Sequence, residues 1–128
     1  MKIKYLGTAA YEGIPAMFCD CRACKNAQKN GGKDLRTRTQ AVLDDKLLID
    51  FPADSLWHMR TYDIDFGKFS HLLITHSHFD HLYTGDLGIR SKYLTAYQGR
   101  KPLNVYVGKD GKARIETDCA EMVKNGEI

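Results

Sequence analysis

His76-Ser77-His78-Phe79-Asp80-His81, entered from the apolar run Leu72-Leu73-Ile74-Thr75, is the stretch on which the reading of this chain turns. Three histidines and a carboxylate fall within six positions, and the whole chain of 128 residues holds only five histidines. Neutral imidazole nitrogens and carboxylate oxygens are the ligands taken by borderline and hard dications, zinc, manganese and iron among them. One helical face cannot present all four groups at this spacing. A strand that ends and curls can. In an extended segment His76 and His78 point the same way, because the side-chain period is two. A turn through Phe79 then brings Asp80 and His81 to the other side of the same pocket. Two pairs of ligands facing a common space imply two metal ions, and the chemistry that follows is metal-assisted hydrolysis. A single histidine at a sheet boundary is ordinarily just a polar residue there. His71, which opens the strand, and His58, within a predicted helix, are read in that way.

Outward from the motif, Ser70 to Thr75 reads as a buried strand, and Asp86 to Tyr97 as a helix following it. Upstream, Lys2 to Leu6 alternates as a first strand and ends at Gly7-Thr8-Ala9-Ala10. Lys25 to Lys29 forms a helical turn stopped by Gly31-Gly32. Gln40 to Leu43 and Lys46 to Phe51 are strands of a hairpin around Asp44-Asp45, Pro52 ends the second, and Ala53 to Tyr62 is a helix. Downstream, Leu103 to Val107 is a strand closed by Gly108, and Lys112 to Lys124 a last, weakly amphipathic helix. No repeat, low-complexity tract or Pro-rich linker divides the chain. Strands followed by helices, twice over, predict a mixed sheet with helices covering one face.

The length is one domain's worth of chain. A hydrophobic content of 43% and a charged content of 27% are those of a globular protein. The net charge of +3 is modest and the basic residues are scattered, which argues against a nucleic-acid groove or an anionic membrane surface. No apolar run approaches the length that spans a bilayer, and the N-terminus lacks a signal-peptide core. These features predict a cytoplasmic protein whose thiols stay reduced. Its four cysteines then need an explanation other than disulfides. Cys19-Asp20-Cys21-Arg22-Ala23-Cys24 has a spacing suited to thiolate coordination of zinc, with a fourth ligand from elsewhere. Free loop thiols, or an adventitious redox pair, are the alternatives. Cys119 stands apart and reads as an ordinary buried thiol.

His76-x-His78-x-Asp80-His81 at a strand end resembles the signature of the metallo-β-lactamase fold hydrolases. The resemblance extends to Tyr5-Leu6-Gly7-Thr8-Ala9-Ala10, Gly13-Ile14-Pro15, the cysteine cluster, Arg36-Thr37-Arg38-Thr39 and Leu48-Ile49-Asp50. Together these resemble the PhnP branch, phosphodiesterases that open a five-membered cyclic phosphate of ribose, from Met1 to about Tyr97. The resemblance implies an αβ/βα sandwich. It implies that His76 and His78 serve one divalent ion (zinc or manganese) and Asp80 and His81 a second, with Asp80 also steering the attacking hydroxide. Cys19, Cys21 and Cys24 would hold a structural zinc, and Asp50 would orient ligands from behind. Arg36 and Arg38 are candidates for a substrate phosphate, or a solvated pair on a loop.

Members of that branch run to about twice this length. Their second half supplies a further His to each metal, a bridging Asp, and the His that completes the cysteine site. In this chain no His follows His81, and Asp86, Asp110, Glu116 and Asp118 lie in no recognisable ligand context. The expectation is the N-terminal half of the sandwich, over residues 1–128, with the other sheet face apolar and bare. Such a face seeks the missing half or a second copy of the chain. The leading function is a metal-dependent phosphodiesterase acting on a small phosphorylated sugar. The alternatives are a catalytically incomplete metal-binding or interaction module, and an RNA-processing hydrolase of the same superfamily. The RNA reading lacks a basic exosite.

Overall fold

The turn Leu43-Asp44-Asp45-Lys46 sets the sheet. Asp44 and Asp45 both take left-handed backbone conformations (φ 50° and 54°), and the Lys46 N–H donates to the Leu43 carbonyl at 3.0 Å. That is a type I′ hairpin turn, whose twist matches the strands it joins, and Asp is among the few non-glycine residues that tolerate this region. The computed structural model describes residues 1–128. The hairpin strands are β2 (Gln40–Leu43) and β3 (Leu47–Ile49). β1 (Ile3–Gly7) pairs antiparallel with β2. β4 (His71–Leu73) and β5 (Asn104–Tyr106) add in parallel beyond β3, giving one mixed sheet in the order β1-β2-β3-β4-β5. Gly7 is required where β1 ends: a Cβ there would collide with the Arg38 carbonyl oxygen.

Parallel neighbours need crossovers. α2 (Ser55–Tyr62) connects β3 to β4, and α3 (Thr84–Leu87) lies between β4 and β5. α1 (Arg22–Asn30) precedes the hairpin, while α4 (Lys109–Asp118) and α5 (Ala120–Lys124) follow the sheet. The pleat sorts the strand residues by face. Val42, Leu48, Leu72 and Val105 stand in register across four strands. They pack with Leu82, Leu87, Ile115 and Met122 beneath the helices. The opposite face carries Tyr5, Ala41, Ile49, Leu73 and Tyr106 in one register row, and Ile3, Leu43, Leu47 and His71 in the next. No helix covers it: Tyr5 is 61% and Tyr106 50% exposed, whereas Leu72 on the covered face is 0% exposed.

Two helical expectations are corrected. Asp86 to Tyr97 is not one helix. α3 spans Thr84–Leu87, a single 3-10 turn covers Gly88–Arg90, and Ser91 leaves the helical region with φ −50° and ψ 138°. The Arg100 guanidinium takes the carbonyls of Arg90 and Thr95 that a continuing helix would use. The Tyr97 ring packs over Gly67, with its hydroxyl donating to Asp65, which draws the chain away from helical continuation. The last helix begins earlier than Lys112 and bends at Cys119, whose φ and ψ are −117° and 29°. There the Thr84 hydroxyl donates to Asp118 at 2.6 Å, drawing the end of α4 onto α3. No helix is long and apolar enough to cross a membrane.

Candidate metal centre

β3 and β4 run parallel with Ile49 opposite Leu73, so both deliver their following residues to one edge of the sheet. Asp50 follows β3 in a left-handed conformation (φ 61°) and is 1% exposed. That conformation turns its carboxylate toward β4, where it accepts from the Thr75 N–H at 2.8 Å and the Thr75 hydroxyl at 2.9 Å. Its other oxygen lies 2.7 Å from His81 Nδ1. Beyond Thr75 the chain curls, with the N–H groups of His81 and Leu82 both donating to the His78 carbonyl at 3.0 and 2.8 Å. Phe51 staples the far side: its N–H donates to the His81 carbonyl, and its own carbonyl accepts from Tyr83. Asp50 and Phe51, both directly after β3, thus hold the loop from two sides.

The curl brings His76, Asp80 and His81 together, with one ligand atom from each lying within 4.8 Å of the others. The rings of His76 and His81 are 3.9 Å apart between centroids. His78 lies outside this trio, its ring edge-on to that of His76 at 4.7 Å. β4 stops at Leu73, so the two histidines meet through the loop's curl and not through strand alternation. The donor chemistry suits a dication. With Asp50 engaging Nδ1, His81 is left with Nε2 free to ligate, and Nε2 sits 3.2 Å from an Asp80 oxygen. Asp80 itself is nearly buried. Imidazoles and a carboxylate crowded in this way, with a second carboxylate behind, are the ligand-and-support pattern of a metal site.

The second cluster lies at the start of α1. The sulfur atoms of Cys19, Cys21 and Cys24 lie within 4.8 Å of one another. Cys24 is buried in α1 and accepts from the Ala16 N–H. Cys21 precedes the helix, and the Cys24 backbone N–H, with the Cys19 and Cys24 thiols, lowers its pKa to about 7. Three thiols around one point, one already inclined to ionise, match the donor set of a zinc–thiolate site. Cys119 is buried far along the chain, its pKa raised by burial and by Asp118.

Arg38 is engaged within the fold: its guanidinium pairs with Asp54 at 3.3 Å and donates to the Tyr11 carbonyl. Arg36 is exposed, and its backbone bridges to Ile14. His58 is buried, 2.6 Å from both Gln40 Oε1 and Thr37 Oγ1. Gln40 in turn donates to the Asp50 carbonyl at 3.0 Å, tying the loop of Thr37 to the back of the site. Sequence reasoning passed over Thr75, whose hydroxyl also lies 3.2 Å from His76 Nδ1 and 3.3 Å from His81 Nδ1. A hydroxyl residue directly before a ligand at a strand end was the available signal. An apolar cavity of about 320 Å³ under the helices, lined by Met59, Phe66, Leu87 and Tyr97 among others, includes none of the candidate ligands.

No family model matches the chain. Over 86 residues, 64% of this chain, it is 31% identical to an octanoyltransferase of Porphyromonas gingivalis, but spans only 16% of that protein. Among solved structures it is similar to a diphosphatase from the PhnP family, with a TM-score of 0.71 and 23% identity over 95% of this chain. It is also similar to zinc-bound PqqB from Methylobacterium extorquens, with a TM-score of 0.72 and 21% identity over 98% of this chain. The chain has the metallo-β-lactamase fold. At these identities the likeness is one of fold. The chain spans 47% and 43% of the two structures, about half the length of each.

Proposed function

We propose that this chain carries the ligand loop of a metal-dependent hydrolase acting on phosphate esters, with a small cyclic phosphorylated sugar as the leading substrate. The observation that carries the reading is the convergence of His76, Asp80 and His81, with Asp50 supporting His81. A diphosphatase among the similar structures supports phosphoryl hydrolysis. His76 and His78 would hold one divalent ion (zinc or manganese) and Asp80 and His81 a second, while Cys19, Cys21 and Cys24 would hold a structural zinc. When bound, such ions supply a hydroxide near neutral pH and neutralise charge on phosphoryl oxygens. The chain's own residues do the remaining work. Asp50 fixes the His81 tautomer so that Nε2 faces the site, and Thr75 locks Asp50 in place. Asp80, close to the site yet shielded from bulk water, holds a proton as a nucleophile forms. Arg36, exposed, is the remaining candidate for a substrate phosphate.

These residues offer two ligands to each ion, whereas catalytic zinc is held by three protein groups or more. We propose that the missing ligands arrive with whatever covers the bare sheet face, either a complementary half of the sandwich or a second copy. Four free cysteines accord with a cytoplasmic setting. The test is metal content per chain by elemental analysis beside turnover of bis(p-nitrophenyl) phosphate. Metal at the histidine loop is expected. Turnover by the 128-residue chain should be weak, and should rise when the complementary half is supplied and vanish with Asp80→Ala. A chain that takes up no metal at the histidines would refute the proposal. Metal without turnover, even with the complementary half present, would favour a silent metal-binding module.

A further inference from the structure

Helix α4 contributes no candidate ligand, yet one stripe of its surface grips the loop that does. Gly111, Arg114 and Asp118 lie three, four and seven residues apart and so share a face. At Gly111 a Cβ would collide with the Val107 side chain just before the helix and would stand in ordinary contact, 3.4 Å, with Leu82. Asp118 accepts from the Thr84 hydroxyl at 2.6 Å. Between them, Arg114 Nη1 donates to the Ser77 carbonyl, and its guanidinium carbon lies 4.6 Å from the centroid of the Phe79 ring. Ser77 and Phe79 are the two neighbours of His78. The His78 carbonyl is already occupied from inside the loop by the N–H groups of His81 and Leu82. The backbone around His78 is therefore held on both flanks from outside and at its centre from within.

We infer that Arg114 is the positioning residue for His78. Through Ser77 and Phe79 it fixes the direction in which the imidazole leaves the backbone, and so its place 4.7 Å from the His76 ring, where the two would share one divalent ion. This rests on the proposed metal site. Charge attraction is not the reason for an arginine here, because a cation beside a cation site works against the ion. Geometry is. A planar guanidinium can donate to a carbonyl in its plane while stacking an aromatic ring on its face, which an ammonium cannot do at one position.

The experiment compares wild type, Arg114→Met and Arg114→Lys in the full chain. Amide hydrogen exchange is read without metal, and cobalt(II) titration is read by absorbance, where thiolate charge-transfer bands separate the cysteine cluster from the histidine loop. Arg114→Met should speed exchange about tenfold at His81 and Leu82, whose N–H groups donate to the His78 carbonyl, and leave the β3 and β4 amides unchanged. It should weaken cobalt at the histidine loop by about tenfold, as is typical when a residue that orients ligands is lost, and leave the thiolate bands as they are. Arg114→Lys should stay nearer to Arg114→Met than to wild type. Unchanged exchange at His81 and Leu82 would overturn the inference, as would acceleration spread evenly over the sheet. If wild type takes no cobalt at the histidines while the local exchange difference persists, the metal reading fails and the hold of Arg114 on His78 stands.

Discussion

Asp50→Asn isolates the role of the buried carboxylate behind the loop. Asparagine fits the same space and tolerates the left-handed backbone at this position (φ 61°), so the exchange introduces no new backbone strain. What changes is one oxygen for an NH2 group. Asp50 presents acceptors on both sides, toward the Thr75 N–H and toward His81 Nδ1. The amide has one acceptor. If its oxygen serves Thr75, its NH2 faces His81 Nδ1, which then must accept, and the ring proton moves to Nε2 where a metal would bind. If the amide flips, the Thr75 N–H faces a donor and loses its partner in a nearly buried site. Metal affinity at the histidine loop should fall about ten- to a hundredfold, or about 1.4 to 2.8 kcal/mol at 1.4 kcal/mol per tenfold. Folding stability should fall by about 1.5 to 3 kcal/mol for the charge-assisted bond lost. Competition with a chromophoric chelator measures the first and urea denaturation of the metal-free chain the second. Asp50→Ala, which removes both acceptors and places alanine in a left-handed conformation at a further cost of about 1–2 kcal/mol, should be worse on both. An Asp50→Asn chain that binds metal as the wild type does would refute the tautomer reasoning.

Other outcomes follow from the same geometry. Leu72→Ala, at a position with 0% exposure in the core, should cost about 2–5 kcal/mol in urea denaturation, while Leu73→Ala on the bare face should cost under about 1 kcal/mol; equal losses would contradict the one-sided sheet. Tyr106→Lys and Leu73→Lys should reduce any self-association seen by analytical ultracentrifugation while leaving the melting temperature nearly unchanged, and stronger association would contradict a role for that face. His58 is held below its ordinary pKa by burial, against an opposing pull from Asp54. The unfolded chain therefore takes up a proton there first, so stability is full above about pH 6.5 and falls as pH drops below it. The difference in urea midpoint between pH 7.5 and 5.5 should shrink in His58→Gln, and an unchanged difference would dismiss this contribution. Cys21, with a pKa of about 7, should be alkylated by iodoacetamide half-maximally near pH 7 and more slowly below it, whereas buried Cys24 should lag. Zinc should protect the whole cluster, and failure to protect would argue against a shared ion.

The bare face also bears on how the domain is assembled. A sheet covered on one side only leaves Ile3, Tyr5, Leu73 and Tyr106 in water, and burying such side chains is worth about 25 cal/mol per Å². His76 and Asp80 lie in the loop that follows β4, at the end of the strands that form this face.

Local sequence determined a good deal of this protein. The Asp44-Asp45 turn, the apolar entry into His76 and the cysteine spacing are legible because turn dihedrals, strand alternation and ligand density act over a few residues. For that reason the hairpin, the strand feeding the motif and the mixed sheet could all be read from the chain alone. Partners distant in sequence decided the rest. Arg100 and Gly67 broke the helix predicted from Asp86 to Tyr97 by capturing carbonyls and a tyrosine ring. Asp54 occupied Arg38, a candidate for substrate. The trio of His76, Asp80 and His81 arose from a curl that Phe51 and Asp50 hold from the neighbouring strand, and Arg114 reached the loop from a helix more than thirty residues downstream. The physical reason is the same in each case. A side chain's hydrogen bonds and packing are satisfied by whatever the fold brings near, and proximity in space across the sheet edge is not written in the spacing along the chain.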